Sequence, residues 1–205
     1  ARVGSGWLSG AAALFLPALA TIVGGAVYYL LFPDRFDPSM TYGRETLGLV
    51  PVAGVTDVWT FLITMTPFAI ALSTLSLPLP FGEEFGWRAY LLPKLLPLGA
   101  RKAVLLVGAI WAVWHWPYVF MGYEYWFNYW GAPVVGPLLW LVICFFFSTF
   151  LTWVTLRSGS VWPAALGHGV INALASLMVY FTRGEPEWLI GPTPVGIIGS
   201  LGYAL

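Results

Sequence analysis

Between Val58 and Pro93 the chain carries only three charged residues, Glu83, Glu84 and Arg88, in an otherwise apolar run. Such a run leaves few folds open. In lipid the backbone must satisfy its own hydrogen bonds, so it crosses as a helix or as part of a closed barrel, and uncharged stretches of about 18 residues or more read as spanning helices. Stretches of that kind recur at about Val3 to Pro33, Val58 to Leu77, Ala103 to Met121, Ala132 to Leu156 and Ser160 to Thr182, with another from near Trp188 to the end. The expected fold is all-α: a polytopic transmembrane helix bundle of about six spans, plus a separate helix carrying Glu83 and Glu84. No internal repeat divides the chain, so residues 1–205 are expected to form a single integral-membrane domain. The chain begins at Ala1 without an initiator Met and stops inside an apolar run at Leu205, which is expected of a fragment truncated at one or both ends.

Composition agrees with a membrane setting: 59% of residues are hydrophobic and 9% charged, against roughly 25% charged in soluble domains. A net charge of zero offers no basic patch for nucleic acid. The twelve Trp and ten Tyr suit interfacial belts and helix packing. Cys144 is the only cysteine, which excludes an intrachain disulfide and a cysteine-rich metal site. Gly24 and Gly25 are expected close-packing positions in the first span. Asp34 to Asp57 is the longest polar connection, and its Gly43, Gly48, Pro51 and Gly54 argue against a long helix. Pro78 and Pro80 should break or kink the chain just before the two glutamates, so that a fresh helix carries them.

An ionised side chain near the middle of a bilayer costs roughly 2.5–3.5 kcal/mol on insertion scales, so it usually faces a bundle interior and serves function. On one helix, Glu84 and Arg88 share a face in the favourable acid-before-base order. Glu83 points about 100° away and needs a partner from elsewhere in the fold. Both histidines of the chain lie inside apolar stretches, His115 in Trp111-Ala112-Val113-Trp114-His115 and His168 in Gly167-His168-Gly169. A single histidine in an apolar helix is more often a packing residue. Two of them, with the only buried carboxylates in another span, make convergence the simpler account. Asn172 lies one turn after His168 on the same face and can donate through its amide. Gly167 and Gly169 would let neighbouring chain approach His168 closely.

In these motifs the chain resembles the CPBP family, the intramembrane CAAX prenyl-endopeptidases and their bacterial relatives linked with bacteriocin processing and self-immunity, also called the Abi family. Glu-Glu-x-x-x-Arg stands as Glu83-Glu84-Phe85-Gly86-Trp87-Arg88. The second motif, usually Phe-x-x-x-His, reads Trp111-x-x-x-His115 with the aromatic changed, and His168-x-x-x-Asn172 resembles the last. Together they cover just under half the chain.

The resemblance implies an endopeptidase that hydrolyses a peptide bond in a membrane-associated protein or peptide, with CAAX-type substrates among the relatives. It implies that Glu83 and His115 activate water, that His168 and Asn172 donate to the oxyanion, and that Glu84 with Arg88 orients the helix and the base. No cofactor is favoured. A metal-dependent version of the reaction would use Glu83, His115 and His168 as three Zn²⁺ ligands, although no His-Glu-x-x-His zincin helix is present. A proton-coupled carrier would also bury such groups but would usually show repeat symmetry. A non-catalytic scaffold or immunity protein would not need all of Glu83, His115, His168 and Asn172.

Counting alternate sides, Arg2, Lys94, Arg101, Lys102 and Arg157 fall on one side and Arg35, Arg44 and Arg183 on the other. By the positive-inside rule the first set is cytoplasmic. The expected location is the plasma membrane of a prokaryote, multi-pass, with the active site open toward the cytoplasm.

Overall fold

A computed structural model describes residues 6–46, 55 and 57–204; Ala1, Arg2, Val3, Gly48, Pro51, Gly54 and Leu205, named above, lie outside these. The bundle is all-helical. Its elements are α1 (Gly6–Leu31), the short α2 (Thr41–Glu45), α3 (Val58–Leu75), α4 (Pro78–Glu84), α5 (Leu92–Leu95), α6 (Ala100–Phe120), α7 (Val135–Ser158) and α8 (Trp162–Leu174). Among the described residues five stretches are long and apolar enough to cross a membrane: α1, α3, α6, α7, and α8 extended through a 3-10 turn to Phe181. This is an integral membrane protein.

The surface suits lipid. Leu30, Leu75 and Leu79 are each about four-fifths exposed, a face that would promote aggregation in water and is ordinary against acyl chains. Trp7, Trp59, Trp126, Trp130 and Trp162 are exposed at helix ends or in connections, where amphipathic rings settle at the headgroup level.

Between apolar helices in lipid there is little hydrophobic drive, so close packing of small residues decides who sits next to whom. In α8 this is plain, since Ala164, Ala165, Gly167, Gly169 and Val170 are all buried. A Cβ on Gly167 would press on Phe150 of α7 at 3.0 Å, and one on Gly169 on the Ser73 carbonyl of α3 at 3.3 Å. α8 is therefore the central helix, and His168 stands between those two glycines.

The sixth span expected from Trp188 onward does not form. Residues 188–204 run through turns to a 3-10 helix at Gly199–Tyr203. The physical reason is local. Pro192 and Pro194 supply no N–H, and Gly191, Gly196, Gly199 and Gly202 weaken any helix. The segment folds back on itself instead, with Ile197 N–H donating to Leu189 and Ile198 N–H to Ile190. It lies along α1, where Gly24 meets the Gly199 backbone so closely that any Cβ would collide with its carbonyl. Gly25 likewise admits Met178. Both glycines thus serve close packing, against irregular chain and not against another α-helix. Non-helical backbone at depth is tolerable because it is buried against protein.

At one end of the bundle the Arg35 and Arg183 connections meet. Arg183 N–H donates to the Arg35 carbonyl at 2.8 Å, and Arg35 pairs with Glu187 at 2.8 Å. The alternation of loops assumed in the charge count is thus present for this pair.

The connection after α6 carries Glu124 in a left-handed conformation, φ +72°. Burial pushes its carboxyl from about 4.5 up to about 7. The folded chain then holds this proton more tightly than the unfolded one, so the stability it contributes is complete below about pH 4.5 and is lost as pH rises toward 7. Thermal unfolding in detergent is expected at a lower temperature at pH 8 than at pH 5, reflecting a stability difference on the order of 3 kcal/mol. In Glu124→Gln this slope should flatten; an equal slope in both proteins would assign it to another group.

Candidate active site

Ser76 and Leu77 break the chain after α3, and Pro78 opens α4 at a position where its missing N–H costs nothing. Glu83 and Glu84 close α4. The next seven residues, Phe85–Leu91, widen into a π-helix before α5 resumes, an irregularity that occurs mostly at functional positions.

Glu84 and Arg88 form the expected pair, Arg88 Nη1 to Glu84 Oε1 at 2.9 Å, with neither side chain exposed. The same oxygen accepts from His168 Nδ1 at 2.9 Å. A carboxylate accepts only, so the shared proton belongs to Nδ1, and in a neutral ring Nε2 of His168 is left as an acceptor.

Glu83 turns the other way. It is half-buried, and its Oε2 accepts from the Trp111 indole N–H at 3.0 Å. Oε1 makes no hydrogen bond to a described residue. Trp111 stands about 17 Å along α6 from its start, near the middle of a helix about 31 Å long. Its backbone carbonyl accepts from His115 Nδ1 at 3.0 Å, which leaves Nε2 of the half-buried His115 with a free lone pair in the neutral ring. Around the imidazole, Trp111, Trp114 and Trp140 lie at centroid distances of 5.6, 4.8 and 5.2 Å.

Five of the six sequence-selected residues are thereby linked. Glu84, Arg88 and His168 form a buried cluster, and Trp111 joins it to Glu83 and His115. Its ring lies 4.8 Å from the Arg88 Cζ and 5.4 Å from the His168 ring. Asn172 differs. It is exposed one turn beyond the buried His168, with no side-chain bond to a described residue. In the sequence Trp111 stands out only as the changed aromatic of the second motif. Its place four residues before His115, on the same helical face, was the available signal.

Among the described residues no three His, Cys, Asp or Glu side chains gather to hold an ion; the bonds to Glu83 Oε2 and to both Nδ1 atoms leave Glu83 Oε1 and the two Nε2 atoms without a described partner.

The model of the type II CAAX prenyl endopeptidases, Rce1-like, matches residues 54–174. That stretch is more than half the chain and contains all six residues. The chain belongs to the Rce1-like family. It is 30% identical over 120 residues to CAAX prenyl protease 2 of Methanococcus maripaludis, a match covering 55% of this chain and 42% of that relative. The chain thus spans less than half the length of that curated relative. No solved structure matches it. Membership in the Rce1-like family rests on the segment from the end of the polar connection to α8, and leaves α1 and the irregular C-terminal segment outside the match.

Proposed function

We propose that this chain is a membrane-embedded endopeptidase that hydrolyses a peptide bond in a membrane-associated protein or peptide without a metal. One observation carries this reading: a half-buried carboxylate, Glu83, is anchored through one oxygen, with its other oxygen and the Nε2 of His115 both left unengaged by the described residues. A water placed between these two acceptors would give its proton to Glu83 as its oxygen attacks the scissile carbonyl carbon. The tetrahedral oxyanion then accepts hydrogen bonds from the Asn172 amide and from Nε2–H of His168. Because Nδ1–H of His168 is committed to Glu84, that second bond requires a proton on Nε2 as well. Collapse of the intermediate breaks the C–N bond. Glu83 returns the proton to the leaving amine, and one carboxylic acid and one amine result.

The name of the Methanococcus relative makes a C-terminal CAAX segment the first substrate to try, with lipid tethering supplying proximity. The orientation that suits the Lys94, Arg101, Lys102 and Arg157 loops opens the site to the cytoplasm of a prokaryote.

The test is cleavage of membrane-tethered peptides, CAAX-terminated ones among them, in liposomes. His115→Ala and His168→Ala should each lower kcat by about 100-fold or more, and a strong chelator should leave the wild type active. Loss of activity with chelator and its return with Zn²⁺ would overturn the metal-free mechanism. Wild-type rates in both variants would overturn the site.

A further inference from the structure

Glu83 lies in the last turn of α4, just before the backbone widens, and a glutamate has three side-chain torsions to settle. Half-buried, it has little packing to choose a rotamer for it. The single hydrogen bond it makes to a described side chain comes from Trp111. Trp111 is itself almost fully buried, 2% exposed, and is held on several sides. Its carbonyl receives His115 Nδ1–H, its face carries the Arg88 guanidinium, and its ring meets His168 edge-on. Phe, the usual aromatic of the family motif, would fill most of this space and donate nothing.

We infer that Trp111 is a positioning residue for hydrolysis, its indole N–H fixing the Glu83 carboxylate in register with His115. The inference rests on the reading of Glu83 as the base. With Oε2 taken by the indole, Oε1 is the oxygen presented to water, and its position relative to His115 is set within one residue. The side chain of Trp111 holds the base while its main chain holds the histidine. A shift in α6 therefore moves both groups together, which keeps their separation constant.

A hydrogen bond to a charged group that orders a base in this way corresponds to about a tenfold to hundredfold change in rate. The decisive variant replaces Trp111 by benzothienylalanine, which keeps the bicyclic shape and puts sulfur where the N–H stood. Expected are a kcat lower by about tenfold or more, KM within about twofold, and an unchanged unfolding temperature. Trp111→Phe should show the same kcat loss with some loss of packing. Independently of turnover, the indole N–H resonance of isotope-labelled Trp111 should move when Glu83 is replaced by Ala.

Wild-type kcat in the benzothienylalanine protein, a loss carried wholly by KM, or an indole resonance indifferent to Glu83→Ala would each overturn the inference. The two readings fail separately. If Glu83→Ala keeps full activity, the base assignment is wrong whatever Trp111 does. If Glu83→Ala is inactive while the benzothienylalanine protein is fully active, only the positioning role is lost.

Discussion

Glu83→Gln is expected to lower kcat by about 10³-fold or more while leaving the unfolding temperature within a few degrees of wild type. The substitution keeps an oxygen to accept from the Trp111 indole and keeps the side-chain volume, so the surroundings have no cause to rearrange. What it removes is the capacity to take a proton from water. Glu83 is half-buried and forms no ion pair among the described residues, so loss of its charge relieves desolvation without breaking one. The effect should therefore fall on chemistry and spare the fold. Measuring kcat and KM beside thermal unfolding separates the two, and a variant that loses activity only because it unfolds earlier would count against the assignment.

Arg88→Met is expected to act in the opposite way, on the fold first. Glu84 and Arg88 are paired in full burial, and removal of one partner leaves the other charge uncompensated, at about 3–5 kcal/mol. Glu84 would retain His168 Nδ1–H, and Trp111 would lose the cation lying over its ring. The double variant Glu84→Gln with Arg88→Met should be more stable than Arg88→Met alone, because it removes the stranded carboxylate. Unfolding temperatures of the wild type, Arg88→Met and the double variant in detergent give this comparison. A wild-type unfolding temperature for Arg88→Met would show that the pair contributes little.

Much of this arrangement is legible in the sequence because lipid makes the rules strict. Charge inside an apolar run has to face inward, so Glu84 and Arg88 could be paired from their spacing alone. The need of Glu83 for a distant partner follows from its angle on the same helix. The identity of that partner does not, since a tryptophan in an apolar helix reads equally well as packing. The five spans follow from apolar length. The C-terminal stretch misled for the same reason: its apolar composition satisfies a length criterion, while Pro192, Pro194 and the glycines around them deny it a helix. Composition there reports burial, and Val195, Gly199 and Ser200 are buried, against α1 and the α7 side of the bundle, while Ile197 and Leu201 stay exposed. Asn172 shares the face of His168 by spacing, yet it emerges on the exposed side because α8 is covered at His168 and uncovered one turn later.

The most direct measurement is hydrolysis of a tethered peptide in liposomes by the purified chain and by Glu83→Gln, each with a strong chelator present throughout. An embedded glutamate-dependent peptidase should give cleavage by the wild type with chelator and none above background by Glu83→Gln. Cleavage by Glu83→Gln at the wild-type rate would contradict the central claim.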